Sequence, residues 1–164
     1  MKNYLIIIIL LLISFKCTEA QTYSPNGKEF GFGIMVGDPT GATLKFWTHN
    51  NNAFVVDVGS SYFGSPRIGV DYLWHFNAFR TAIANLYAGP GGVIGVGEGN
   101  GFWYDGRYHR ASGNLGLGAR GVVGVNFVPR DAPIEVFLEI GVLLALAPDF
   151  DSGMDAGLGI RFYP

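Results

Sequence analysis

The feature that most constrains the fold of this chain is a two-residue alternation that recurs from residue 29 to the carboxyl terminus. Successive residues of a β-strand point to opposite faces, so such alternation predicts strands with two chemically different faces. In residues 67–76, Ile, Val, Tyr, Trp and Phe share one face, while Arg, Gly, Asp, Leu and His share the other. Residues 134–146 and 154–163 repeat this division between large apolar residues and glycine mixed with charge, and in residues 54–62 the apolar face is expected to hold Phe54, Val56, Val58 and Tyr62.

Turn-forming residues divide the alternating region into eight strand segments. Clusters of Gly, Pro, Asn, Asp and Ser separate the segments, and no convincing apolar period of 3.6 residues appears. The predicted strands are residues 30–36, 42–47, 54–62, 67–76, 83–96, 114–128, 134–146 and 154–163. We therefore predict one all-β domain, residues 29–164, folded as an eight-stranded antiparallel up-and-down barrel.

The amino terminus predicts export from the cytoplasm. Lys2 precedes an apolar stretch at residues 5–15, and Thr18 and Ala20 place small residues where a signal peptidase reads them. This pattern is typical of a cleaved signal peptide, here residues 1–20, followed by a short flexible lead-in at residues 21–28. The bulky Lys16 before Cys17 argues against a lipoprotein, so we place Cys17 in the discarded signal.

The glycine-and-charge face decides between two kinds of barrel. The chain has 25 glycines, 15% aromatic residues and 15% charged residues, whereas about 25% charged is usual. A soluble barrel turns its apolar face inward, and a transmembrane barrel turns it toward lipid around a polar interior. Glycines on a water-facing strand surface weaken a sheet for no gain, whereas inside a narrow barrel they make room for large side chains. We therefore expect a transmembrane β-barrel of the bacterial outer membrane, in contact with outer-membrane lipid.

This facing predicts a charge network inside the barrel. The predicted lumen residues are Lys45, Asp57, Arg67, Asp71, Arg120, Glu135, Glu139, Asp155 and Arg161. Isolated buried charges are costly, so each should have a partner. Because strands six, seven and eight are neighbours in a meander, we expect Arg120 and Arg161 to pair with Glu135 and Glu139.

The connections and the aromatic residues suggest an orientation in the membrane. With the amino terminus in the periplasm, the longest connection, residues 97–113, falls outside, where barrels of this kind have their longer loops. It carries aromatic residues and arginines suited to contact with a surface partner: Phe102, Trp103, Tyr104, Arg107, Tyr108 and Arg110. An aromatic girdle is expected at the periplasmic side, formed by Phe30, Phe46, Trp47, Trp74, Phe76, Phe127 and Phe162.

Three stretches carry a family resemblance: residues 31–41 (Gly-Phe-Gly-Ile-Met-Val-Gly-Asp-Pro-Thr-Gly) with Lys45 and Trp47, residues 71–75 (Asp-Tyr-Leu-Trp-His) and residues 157–163 (Gly-Leu-Gly-Ile-Arg-Phe-Tyr). Over nearly all of residues 29–164 the chain resembles the small OmpA-like transmembrane barrels, and more closely a group of uncharacterised bacterial outer-membrane β-barrel proteins. The last strand resembles the terminal signal read by the barrel-insertion machinery, although Pro164 follows Tyr163. The resemblance implies a fold, a location and that machinery as a partner during biogenesis, but no catalytic residues.

The sequence offers little chemistry beyond this. The net charge of -2 argues against nucleic acid as a partner. Residues 116–121 match G-x-G-x-x-G, but no helix pattern follows, so we interpret them as strand. Scattered His49, His75 and His109 predict no metal site. We therefore expect no cofactor and no enzyme activity.

Two alternatives remain open at this point. One is an outer-membrane lipid-modifying hydrolase, since Asp105, His109 and Ser112 in the long loop are the residue types of a nucleophilic triad. The other is a soluble periplasmic barrel that binds a small apolar ligand.

Overall fold

The structure is a computed structural model that describes residues 24–49, 51–97, 99 and 115–164. Eight strands make up almost all of it. A short 3-10 turn at Pro25–Gly27 precedes the first strand. The strands are β1 (Phe30–Gly37), β2 (Thr40–His49), β3 (Asn52–Ser61), β4 (Gly64–Phe76), β5 (Ala84–Val96), β6 (Leu115–Phe127), β7 (Ile134–Ala147) and β8 (Asp151–Phe162). The predicted signal peptide, including Cys17, lies outside the described residues.

The strands close into one antiparallel barrel in which each strand pairs with the next along the chain. Closure comes from pairing of β1 with β8, where Phe32 lies opposite Phe162 and Val36 lies opposite Leu158. The predicted eight-stranded up-and-down barrel is therefore confirmed. Closure leaves no unpaired edge strand, which removes the usual site of edge-to-edge association. Among the described residues, no helix is long and apolar enough to cross a bilayer.

The connections divide the barrel into two rims. The terminal rim carries both ends of the barrel domain and the connections at residues 50–51, 77–83 and 128–133. The loop rim carries the connections at residues 38–39, 62–63, 97–114 and 148–150. Three of the four loop-rim connections are thus only two or three residues long, so the loop rim is low at those three places.

The two faces of the sheet have opposite chemistry. Large apolar side chains lie on the outside, where Ile68 and Val70 of β4 are 45% and 46% exposed, and Leu138 and Ile140 of β7 are 55% and 48% exposed. The inside is filled by buried side chains, among them Met35 and Phe137 at mid-barrel. Tyr62, Phe63, Val93, Leu143 and Ala145 fill the loop rim, and Trp47, Ala53 and Tyr163 fill the terminal rim.

Two side chains lie on the opposite face of the sheet from the one predicted, so those two predictions are wrong. Tyr62 was expected on the apolar outer face of β3, but it is 6% exposed, because the register shifts after Gly59 and the chain leaves the strand at Ser61. Trp47 was expected in the outer aromatic girdle, but it is 7% exposed because it shares the parity, and so the face, of Lys45. The other six expected girdle residues face outward and are 36–44% exposed.

Candidate functional site

The interior of the barrel holds the largest concentration of charged and polar groups. None of the nine predicted lumen residues is more than 4% exposed. They are Lys45, Asp57, Arg67, Asp71, Arg120, Glu135, Glu139, Asp155 and Arg161. A buried charge needs partners to offset its lost hydration, so the contacts of each charged side chain indicate what the site can do.

Toward the terminal rim, the charges are organised around Lys45. The Lys45 Nζ donates to Glu135 Oε1 at 2.7 Å and lies 3.0 Å from His75 Nε2. The same ammonium lies 4.3 Å from the centroid of the Trp47 ring, within the range of a cation–π interaction. Lys45, Glu135 and His75 are each at most 1% exposed. This ammonium is therefore enclosed by an anion, an imidazole and an aromatic face.

Arg161 completes this half of the interior. Its Nη1 lies 3.5 Å from Glu135 Oε1, and its Nη2 donates to Thr43 Oγ1 at 2.8 Å. The guanidinium carbon lies 3.7 Å from the centroid of the Phe137 ring. The Tyr163 hydroxyl donates to Glu135 Oε2. Glu135 thus receives contacts from both cations and from the residue that follows β8.

Toward the loop rim, the charges are organised around Arg120. Its Nη2 donates to Glu139 Oε1 at 2.8 Å, its Nε donates to Asp155 Oδ2 at 3.0 Å, and its Nη1 is paired with Asp71. Asp155 also accepts from Arg67 Nη2 at 2.9 Å. Arg120 therefore joins β6 to β4, β7 and β8 across the barrel.

Asp38, in the connection between β1 and β2, adds a carboxylate that the sequence analysis missed. It is 3% exposed, accepts a hydrogen bond from the Tyr62 backbone N–H at 3.2 Å, and lies 3.6 Å from Arg67 Nη1. Burial raises the pKa of this carboxyl above its ordinary value, against the lowering effect of these neighbours. Its burial was not predicted from the sequence, because aspartates in turns are usually solvated.

The buried charges do not balance. Among the described residues, six carboxylates and four Lys or Arg side chains are buried, which leaves two formal negative charges in excess. The carboxylates are Asp38, Asp57, Asp71, Glu135, Glu139 and Asp155, and the cations are Lys45, Arg67, Arg120 and Arg161. Asp57 stands apart, because within the described part of the chain it makes no ion pair within 4.0 Å.

Glycines make the space that these side chains occupy. Eight of the nine predicted lumen charges have a glycine directly opposite on a neighbouring strand, and Glu135 is the exception. A Cβ at Gly91 would overlap the Asp71 carboxylate, and a Cβ at Gly141 would overlap Asp155 and lie 2.9 Å from Arg120 Nε. The expected role of glycine as room for charge therefore has a specific geometry, in which a glycine lies across from each of these eight charges.

Arg120 and Arg161 were expected to pair with Glu135 and Glu139, and the structure shows the pairs Arg120–Glu139 and Arg161–Glu135, each of which joins adjacent strands. The contacts that sequence reasoning missed run across the barrel. Lys45 of β2 reaches Glu135 of β7, and Tyr87 of β5 donates its hydroxyl to Glu139 of β7 at 2.9 Å. The alternation identified which side chains face inward, but gave no signal for which of them meet across the lumen.

The expected outer-loop contact residues cannot be placed. Phe102, Trp103, Tyr104, Arg107, Tyr108 and Arg110 lie outside the described residues, as do Asp105, His109 and Ser112. The G-x-G-x-x-G match at residues 116–121 lies within β6 and continues as strand. It therefore lacks the strand-to-helix turn that a dinucleotide site needs.

No protein-family model matches the chain, and a comparison with curated proteins finds no significant match.

Proposed function

We propose that this protein is a small, non-enzymatic outer-membrane barrel with a plugged polar lumen. It would act as a structural element of the membrane or as a surface-interaction module through its long connection. The observation that carries the proposal is the inverted facing of the barrel: ionisable side chains are buried inside, and large apolar side chains cover the outside. In water this outside would be costly, whereas in a bilayer it is the stable arrangement.

The extent of the apolar outside supports a lipid environment over a small binding patch. Thirty large apolar side chains of the described residues are at least 36% exposed, and they occur on all eight strands. Soluble monomers rarely expose contiguous apolar patches beyond a few hundred Å². The soluble ligand-binding alternative required Ile68, Val70, Leu138 and Ile140 to line the inside, and all four are exposed.

Strand length and aromatic placement fit the same proposal. A membrane-spanning strand needs about 9–11 residues, and seven of the eight strands have at least ten. At the terminal rim, outward Phe30 and Phe46 lie with ring centroids 4.9 Å apart, and Phe32 and Phe162 lie 5.9 Å apart. Such aromatic groups favour the interface between lipid and water.

The non-enzymatic part of the proposal rests on the filled interior. Most of the described lumen charges are paired with one another, and a catalytic group needs a substrate within hydrogen-bond reach. The hydrolase alternative depends on Asp105, His109 and Ser112, which lie outside the described residues. A mass shift of the lipid A of the host upon expression, lost in Ser112→Ala, would overturn the non-enzymatic assignment.

The location is tested by expressing the full chain in a Gram-negative host and separating the membranes. We expect the protein in the outer-membrane fraction, resistant to urea extraction, with an amino terminus at Gln21. A matched variant in which residues 98–113 are replaced by a short Gly-Ser turn should fractionate in the same way. Recovery of the parent in the soluble periplasmic fraction would contradict the proposal.

A further inference from the structure

Three carboxylates converge at mid-barrel, two from neighbouring strands and one from the opposite side of the sheet order. One carboxylate oxygen from each of Asp57 of β3, Asp71 of β4 and Glu139 of β7 lies within 4.8 Å of the other two. All three side chains are buried, at 2% or 3% exposure. Like charges this close repel strongly in a poorly hydrated space, so the arrangement needs positive charge among them.

Both oxygens of Glu139 accept hydrogen bonds, but one oxygen each of Asp57 and Asp71 does not. Asp57 Oδ1 and Asp71 Oδ1 are both fully buried, and neither has a hydrogen-bond partner among the described residues. Buried carboxylate oxygens are normally hydrogen-bonded or coordinated, so two orphans in one cluster indicate an absent ligand. This observation is independent of the clustering, because three converging carboxylates with every oxygen partnered would need nothing more.

The local charge specifies the ligand. Each buried cation is already paired with a carboxylate: Arg120 with Asp71, Glu139 and Asp155, Arg67 with Asp155, and Lys45 and Arg161 with Glu135. The six carboxylates and four cations buried among the described residues leave two formal negative charges in excess, which is the charge that one divalent cation neutralises.

We infer that the barrel binds one hard divalent cation, of the Ca²⁺ or Mg²⁺ class, between Asp57, Asp71 and Glu139. The donor set is all oxygen, without sulfur or imidazole, which is the set that these ions prefer. Ca²⁺ takes its oxygen ligands at about 2.3–2.6 Å, so two oxygens of one shell are up to about 5 Å apart. The observed separations fit such a shell without movement of the strands. The scattered histidines gave no sign of this site, since none of its ligands is a histidine.

The cation would tie three strands together at mid-barrel. It would join β3 and β4 to β7, which pair with neither of them in the sheet. The inference does not depend on the membrane location, because the ligands lie inside the barrel in either environment. An ion that binds the folded state alone stabilises it in proportion to the logarithm of its concentration.

The test uses the mature chain, residues 21–164, refolded in a zwitterionic detergent with EDTA, with Ca²⁺ or with Mg²⁺. The ion is present during refolding because the site is buried. After dialysis, we expect one ion bound per chain with Ca²⁺ or Mg²⁺ and an unfolding midpoint that rises with its concentration. In Tb³⁺, we expect luminescence sensitised by Tyr87, whose hydroxyl bonds Glu139 at 2.9 Å.

Asp57→Asn is the decisive variant, because it removes the unpaired charge and keeps the shape of the side chain. In EDTA it should be at least as stable as the parent, and with Ca²⁺ it should bind no ion and show no shift. Asp131→Asn, in an exposed position between β6 and β7, should respond as the parent does. A parent that binds no ion and shows no shift, or an Asp57→Asn variant that binds as the parent does, would overturn the inference.

Discussion

At the scale of single residues, the cost of losing a lumen charge depends on how many partners it leaves behind. Glu135 is the carboxylate within 4.0 Å of both Lys45 and Arg161. Glu139 instead shares Arg120 with Asp71 and Asp155. Removal of Glu139 therefore leaves a cation that is still paired, while removal of Glu135 leaves two buried cations without a carboxylate.

We expect Glu135→Ala to lower the free energy of unfolding by about 3–5 kcal/mol, the cost of orphaning a buried charge. Glu139→Ala should cost clearly less. The measurement is urea denaturation of refolded protein in lipid vesicles, with Glu135→Gln as the control that keeps the size and the hydrogen-bonding oxygen. Equal losses for Glu135→Ala and Glu139→Ala would show that partner number does not set the cost.

On the outer face, adding a charge is expected to destabilise the barrel, whereas inside the barrel removing one does. Val70 and Leu158 are 46% and 55% exposed on the apolar side. If they face lipid near the midplane, Val70→Arg and Leu158→Arg should each lower stability by about 2–4 kcal/mol in vesicles. Asp131→Arg, in a terminal-rim turn, should be close to neutral. Normal insertion and stability of both strand variants would speak against a lipid-facing outside.

At the scale of strands, glycine is positioned by its partner across the sheet. Gly159 faces inward, where a Cβ would overlap the Phe137 ring and lie 2.7 Å from the Ile34 carbonyl oxygen. Gly121 faces outward, and a Cβ there would meet nothing within 4 Å. The same residue type therefore makes space at one position and has no steric reason to be present at the other.

This contrast predicts opposite effects of one substitution. Gly159→Ala should destabilise the barrel by about 1–3 kcal/mol, because it overpacks a filled interior. Gly121→Ala should be neutral or stabilise by up to about 1 kcal/mol, because it reduces the freedom of the unfolded chain. Urea unfolding of the two variants side by side tests this. A Gly159→Ala variant with an unchanged free energy of unfolding would mean that the interior has room for another methyl group.

The alternation predicted the strands well because burial on one face fixes register and facing together. The prediction of facing failed where the alternation is interrupted and where a residue was assigned by its type instead of by its position in the alternation. Tyr62 turns inward after the register shift near Gly59, and a shift of this kind has no distinct sequence signal. Trp47 was assigned by residue type, although its parity with Lys45 already placed it inside.

The partners inside the lumen were predictable only between neighbouring strands. Arg120 meets Glu139 because β6 pairs with β7, and that adjacency follows from chain order. Its contact with Asp71 crosses from β6 to β4, so it depends on the diameter of the barrel and on side-chain length. Alternation determines neither quantity, so the members of the network could be predicted from the sequence but most of the contacts between them could not.

At the scale of the whole molecule, the filled interior predicts poor conduction. An eight-stranded barrel has an interior just wide enough for side chains, and here Arg67, Arg161 and Tyr87 are among the largest that are fully buried. We expect the refolded protein to show no large, steady current steps in a planar bilayer. A long-lived open channel in protein of verified fold would contradict the plug.

The low loop rim has a consequence for how the protein would be seen from outside a cell. In the proposed orientation, the turns at residues 38–39, 62–63 and 148–150 would scarcely rise above the bilayer. They would lie beneath the sugar chains of the surrounding lipopolysaccharide, out of reach of antibodies, phages and proteases. The connection between β5 and β6 is much longer in sequence than these three turns, so variants that escape immune recognition should change in that connection rather than in the three turns.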